Sequence, residues 1–243
     1  MKRSFGGIAN RIPASIKRGF LEHDCQSGYG FPEDTEEIVG HLSLADWTAG
    51  TKQSGVPDFA KELLKDSGYR SKGRLIMTRD CIPWLVSGHD KFAQTDGCTI
   101  RMKRGQEMYL MLLQEDKTLM SGEDAEAQVI AQAIAAFQAN NENRMVPPSP
   151  LKPLGRMVFP CITMLGAYPK FYLVPVTMGL SDCVSHHIRH CPSDKTVVLR
   201  HIPMVPCYEP MKSLGDRKKI IQCFEAFKKF VDNIEQKLDR CFK

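Results

Sequence analysis

What the chain lacks narrows its identity before any motif is considered. No stretch approaches the roughly 18 consecutive apolar residues of a membrane span, so a helical membrane protein is not expected. The opening segment MKRSFGGIANRIPASIKRGF carries basic residues but no continuous apolar run of the kind a secretory leader needs. An intracellular protein, cytoplasmic or nuclear, is therefore expected. The nine cysteines are odd in number and follow no framework spacing. That argues for reduced thiols, most of them small core residues, rather than a disulfide-stapled scaffold. The chain also has no P-loop, no G-x-S-x-G elbow, no dinucleotide fingerprint and no internal repeat, and nothing local marks one cysteine as a nucleophile partnered by histidine.

What is present is the composition of an ordinary globular protein. Apolar residues make up 42% of the 243 positions and charged residues 25%, enough for a sizeable core in one large domain or two small ones. The net charge of +5, with a pI near 8.7, is compatible with a polyanionic partner without requiring one.

Residues 1–50 are largely rich in Gly, Ser and charge with little periodicity, and read as a poorly defined N-terminal leader; residues 51–243 read as a single domain. PDFAKELLKDSGY predicts a helix, with Pro57 in its first turn, Phe59, Leu63 and Leu64 as its apolar stripe and Gly68 at its stop. GRLIMTRD predicts a strand and IPWLV a short extended piece. GCTIRM and EMYLMLLQED predict two strands joined through KRGQ, with Gly105 and Gln106 as a two-residue type II′ turn. GEDAEAQVIAQAIAAFQANN is the clearest helix, alanine-rich with acids in its first turn. A Pro-rich connector follows, then paired strands around AYPK, a strand in KTVVLRHIP, and a long amphipathic helix striped by Ile220, Ile221, Phe224, Phe227, Val231, Ile234 and Leu238. The order of elements predicts an α/β fold, bordering on α+β.

The strand YLMLL runs straight into Glu115, Asp116 and Lys117. A turn at Gly105 and Gln106 pairs Asp96 with Glu115 across the hairpin, and directly opposed residues share a face with Cβ atoms about 4.5–5.5 Å apart. Lys117 shares that face if the strand continues. A cation between two carboxylates relieves their repulsion, and all-oxygen coordination suits magnesium or manganese. Such an ion activates water and neutralises charge on a phosphodiester, and a neighbouring ammonium orients the attacking water.

An acid on one strand, an acid-x-Lys triplet ending its hairpin partner and then a helix together resemble the PD-(D/E)xK nucleases of the restriction-endonuclease-like fold. The family's core runs helix, three strands, helix, strand, which matches residues from about 57 to 166. The resemblance implies metal binding by Asp96 and Glu115, a backbone carbonyl from Asp116, and Lys117 serving the nucleophilic water. It further implies a first-helix acid, for which Glu62 is the candidate, and a glutamine on the following helix, for which Gln128 is the candidate with Gln132 one turn on. Thr95 stands where the nominal motif has proline. The segments LLQEDKT, EAQVIAQAIAAFQANN, FPCITMLGAYPKFYLVPVT and CFEAFKKFV also resemble a family of uncharacterised proteins common in fungi. That likeness, from about Thr95 onward, implies a shared fold and brings no activity with it.

The expected function is metal-dependent hydrolysis of nucleic acid, most simply DNA, with a non-catalytic protein- or nucleic-acid-interaction module on the same fold as the alternative. CVSHHIRHC offers Cys183, His186, His187, His190 and Cys191 as zinc ligands for a second alternative, a zinc-stabilised binding domain, but no second cluster completes a finger or ribbon. Tyr168, Phe171 and Tyr172 are available for base stacking or, more economically, for packing. Arg217–Lys219 and Lys228–Lys229 read as the solvated face of the last helix.

Overall fold

The computed structural model describes residues 20–21, 33–45, 55–103, 105–116, 124–147, 150–186, 195–206, 208 and 210–240. Lys117, His187, His190 and Cys191 lie outside the described residues. Within them the chain runs α1 (Glu33–Ala45), α2 (Val56–Asp66), β1 (Arg74–Val86), β2 (His89–Lys103), β3 (Gln106–Glu115), α3 (Ala125–Met145), β4 (Arg156–Leu165), β5 (Tyr168–Thr177), α4 (Met178–His186), β6 (Leu199–His201) and α5 (Leu214–Arg240). The six strands form one mixed sheet in sequence order, antiparallel throughout except where α3 carries the chain from β3 to a parallel β4. The expected succession of helix, three strands, helix and strand is present from α2 to β4.

Helices cover both faces of the sheet. On β5, Phe171 packs its ring against Phe224 and Phe227 of α5, while its neighbour Tyr172 reaches Glu126 of α3. Successive strand residues point to opposite faces, so α5 and α3 lie on opposite sides. This explains why Met108 to Leu113 of β3 are all buried: a strand covered on both faces reads as a continuous apolar run. Each fully buried large apolar side chain contributes about 1.5–3 kcal/mol of transfer free energy. The start of α3 is fixed by Asp124, whose carboxylate accepts the N–H groups of Glu126 and Ala127.

Four features depart from expectation. First, GRLIMTRD and IPWLV form one 13-residue strand, β1, which turns at Ser87 (φ 51°) and Gly88 (φ 78°) into a β2 that begins well before GCTIRM. Two positive-φ residues suit the twist of a two-residue hairpin. The last carbonyls of α4 hold this turn, Val184 O accepting from Ser87 N–H at 2.8 Å and Ser185 O from Gly88 N–H at 2.6 Å. Second, Lys103 pairs with Gln106, so the β2–β3 turn falls one residue earlier than Gly105–Gln106, with Gly105 (φ 77°) as its second member. Third, α1 lies inside the stretch read as a leader, yet Ile38 and Ala45 belong to the core. Fourth, Arg217 is fully buried rather than solvated. Its guanidinium bonds Met211 O, Phe20 O and Lys212 O and lies 4.9 Å from the Phe20 ring centroid, tying residue 20 to α5.

Candidate functional site

The β2–β3 ladder starts at Lys103 and Gln106 and ends at Gly97 and Leu113. Beyond that point β2 continues to His89 paired with β1, whereas β3 continues to Glu115 along β4. The strands part at Asp96. Thr95, fully buried in the fork, places its hydroxyl 2.8 Å from both Gly97 O and Leu113 O.

Asp96 bridges the opening. Its Oδ2 accepts from Gln114 Nε2 at 2.7 Å and from the Glu115 main-chain N–H at 2.8 Å. Gln114 Oε1 in turn accepts from Gln132 Nε2 at 2.5 Å, and Gln132 Nε2 also donates to Gln94 O at 2.8 Å. One side chain from α3 thus ties both strands of the fork together.

This corrects the hairpin register. The early turn alone would displace the pairing by two residues, and a bulge restores one: Thr99 pairs with Met111 and Ile100 with Tyr109, leaving Leu110 without a partner. The net slip of one residue brings Gln114, not Glu115, opposite Asp96. Glu115 meets Asp96 through its main chain, while its buried side chain belongs to a position paired with Met164 of β4.

The remaining expected site residues are placed as follows. Asp116 is buried and accepts from Lys170 Nζ at 2.9 Å, and its N–H bonds Met164 O at 2.7 Å. Glu62 lies on α2 and pairs with Lys65 of the same helix at 2.9 Å. Gln128 sits in the first turn of α3, its N–H on Asp124 O, and it is Gln132 one turn on that reaches the fork. Sequence reasoning missed Gln114 and Lys170. Gln114 adjoins Glu115 in plain view, but only the register discloses its role; Lys170 comes from β5, distant in sequence.

A second polar cluster lies beside the fork. Tyr109 Oη donates to Asp80 Oδ2 at 2.9 Å, and the Cys98 thiol lies 3.7 Å from the same oxygen. Burial, reinforced by the Asp80 charge, pushes the Tyr109 hydroxyl and Cys98 thiol well above their ordinary ranges, so both stay protonated. Burial also raises the Glu107 carboxyl, helped by Asp80. Arg79 adopts φ 55° immediately before Asp80, an uncommon conformation for a non-glycine residue.

Among the described residues no group of three or more His, Cys, Asp or Glu side chains is placed to hold a metal ion. Cys183 is disulfide-bonded, contrary to the expectation of reduced thiols, and a disulfide sulfur is not a zinc ligand; His186 is exposed. Cys81, Cys98, Cys161 and Cys223 are free. Tyr168, Phe171 and Tyr172 are buried and serve packing rather than stacking on bases. No described helix is long and apolar enough to cross a membrane.

No protein-family profile matches the chain, and no curated protein matches it.

Proposed function

We propose that this chain is a restriction-endonuclease-like domain that hydrolyses phosphodiester bonds in nucleic acid, most simply DNA, at the fork between β2 and β3. The observation that carries the reading is the position of Asp96: an acid on one strand, bonded to the main chain of the E-x-K glutamate where the two strands part. The succession from α2 to β4, the parallel β3–β4 connection through α3, and a glutamine from α3 in the fork support it.

Carboxylate and amide oxygens at the fork are of the type a hard divalent cation takes, although among the described residues the two carboxylates do not converge. Both described bonds to Asp96 fall on Oδ2, and among the described residues Oδ1 accepts none. Gln132 Oε1 is buried and has no hydrogen-bond partner, which leaves an acceptor at the fork unsatisfied. Magnesium or manganese held by both Asp96 and Glu115, with the Asp116 carbonyl as a further oxygen, would require the Glu115 side chain to turn toward the fork from the face of β3 opposite Gln114. When bound, the ion lowers the pKa of water and neutralises charge on the phosphate. Asp96 is oriented by Gln114, Gln114 is held by Gln132, and Lys117 serves the attacking water. Lys170 neutralises Asp116, leaving its main-chain carbonyl as its contribution.

A second reading keeps the fold without the chemistry, as an interaction module. It is favoured by one observation: the residue opposite Asp96 is the neutral Gln114 rather than a second carboxylate. A magnesium- or manganese-dependent cleavage assay on single- and double-stranded DNA separates the two. The nuclease reading predicts metal-dependent cleavage that falls about 10²–10³-fold in Glu115→Ala and in Lys117→Ala. Cleavage that survives both substitutions, or none by the wild type, favours the module.

A further inference from the structure

Four strands contribute one side chain each to a row across the sheet. Asp96 of β2 bonds Gln114 of β3, Gln114 is paired with Thr163 of β4, and Thr163 is paired with Lys170 of β5. Paired residues share a face, so Lys170 stands on the face that carries Asp96 and meets Gln132 of α3. The Asp116 N–H on Met164 O extends the β3–β4 ladder by one residue. Alternation then returns Asp116 to the face of Gln114 and leaves Glu115 on the other. The 2.9 Å contact of Lys170 Nζ with Asp116 Oδ2 agrees with that assignment.

The two charges of this pair are not equally placed. The Asp116 side chain is 6% exposed and the Lys170 side chain 28%. A buried carboxylate needs a partner, which Lys170 supplies, yet the end of the pair that meets solvent is the ammonium. One of its three donors goes to Asp116, and among the described residues no acceptor takes the other two. The acid beneath it also restrains a flexible four-carbon stem, so the ammonium is held in direction as well as in place. Asp96 and Gln114 are half-buried, and the buried Gln132 Oε1 beside them is unsatisfied, so the polar groups of this face do not close upon one another. Diagonal neighbours on one face lie about 7–8 Å apart, and β2 and β3 part here, so an open interval separates Asp96 from the Asp116–Lys170 pair.

We infer that Lys170, aimed by Asp116, is a phosphate-binding residue of the fork, its ammonium holding a non-bridging oxygen of the nucleic-acid backbone beside Asp96. The inference rests on the reading of the fork as a nucleic-acid site. It adds a contact from β5 that the E-x-K pattern does not contain. A lysine acts on phosphate as a point charge, so Lys170 adds affinity and fixes position without reading sequence.

The test measures binding without cleavage. A fluorescently labelled DNA duplex is titrated in EDTA, at several salt concentrations, with the full-length wild type, Lys170→Met, Lys170→Arg and Lys170→Met/Asp116→Asn. Each phosphate contact contributes about 0.9 to the slope of log K against log salt, so Lys170→Met should make the slope shallower by about 1. Lys170→Arg should restore it. Lys170→Met leaves the Asp116 charge buried without its lysine and should melt lower. The double variant removes both charges, so it should recover the melting temperature and keep the shallow slope, which a purely structural ion pair would not produce. A wild-type slope in the folded double variant overturns the inference, as does a wild type that binds no duplex. Magnesium-dependent cleavage by the same proteins decides hydrolysis separately. A wild type that cleaves while the double variant keeps the full slope retains the hydrolytic reading and loses Lys170. One that binds through Lys170 without cleaving retains the contact and loses hydrolysis.

Discussion

Asp96 Oδ2 lies 2.8 Å from the Glu115 main-chain nitrogen and accepts its N–H hydrogen bond, in place of a strand carbonyl. An acid side chain thereby closes the ladder where β2 and β3 separate. The same oxygen accepts Gln114 Nε2, so the orientation of the carboxylate depends on an amide that is itself held by Gln132. A charge-assisted bond of this kind fixes direction as well as adding stability.

Gln114→Ala should leave the ligands in place and loosen Asp96. If hydrolysis is the function, kcat falls about tenfold, equivalent to about 1.4 kcal/mol in the barrier, with KM little changed. The melting temperature should fall by only a few degrees. A variant with full activity would remove Gln114 from the site.

Asn140 is expected to be the most sensitive polar residue of α3. The β3–β4 ladder covers only Leu112 to Glu115, so Tyr109 has no strand partner on that side. Asn140 supplies one: its Oδ1 accepts Tyr109 N–H at 2.7 Å and its Nδ2 donates to Tyr109 O at 2.9 Å, in a fully buried setting. Asn140→Ala orphans both backbone groups and should cost about 2–4 kcal/mol. Urea unfolding of the variant measures this through its midpoint.

The C-terminal helix should loosen in acid. Burial tends to raise the Asp239 carboxyl, but the hydrogen bond from Lys103 and the charges of Arg101 and Lys103 outweigh it and hold the group below its ordinary value. A depressed folded-state pKa gives stability that is present above the unfolded value and is lost as pH falls through the folded one. Stability should therefore decline below the ordinary aspartate range, and Asp239→Asn should flatten that part of the profile. An unchanged acid limb in thermal melts between pH 5 and pH 2, a window taken about the usual aspartate value, would contradict this.

Thiol chemistry should report burial directly. Cys81 is exposed and free, whereas burial raises the thiols of Cys98 and Cys161 and pushes Cys223 up to about 11, with the Cys223 sulfur 3.5 Å from His201 Nε2. Because the thiolate is the reactive species, maleimide at neutral pH should label Cys81 well before these three. Mass spectrometry of the native protein reads the order, and the difference should vanish in denaturant.

Much of this arrangement was legible in the sequence because its signals are local. The continuous apolar run before Glu115 marked a strand, and the first-turn acids and alanines of 125–145 marked α3. Apolar periodicity likewise predicted α5. The turn was displaced by one residue because Gly105 satisfies a positive φ at either central position of a two-residue turn, and sequence alone does not choose between them. The bulge at Leu110 was hidden because Tyr109, Leu110 and Met111 are all apolar. The site suffered more than the fold, since a one-residue slip exchanges Glu115 for Gln114 opposite Asp96 while leaving every strand in place. Arg217 misled for a different reason: it stands three and four residues before Ile220 and Ile221 on the apolar face itself, but its charge read as solvated, and the main-chain carbonyls that accept its guanidinium come from residue 20 and from the turn before α5.

The most direct test of the central claim is manganese binding followed by electron paramagnetic resonance on the wild type and on Asp96→Ala, with circular dichroism to verify folding. The account predicts stoichiometric binding by the wild type that is lost in a folded Asp96→Ala. Equal binding by both proteins, or no binding by the wild type, would contradict a metal-dependent site at the fork of β2 and β3.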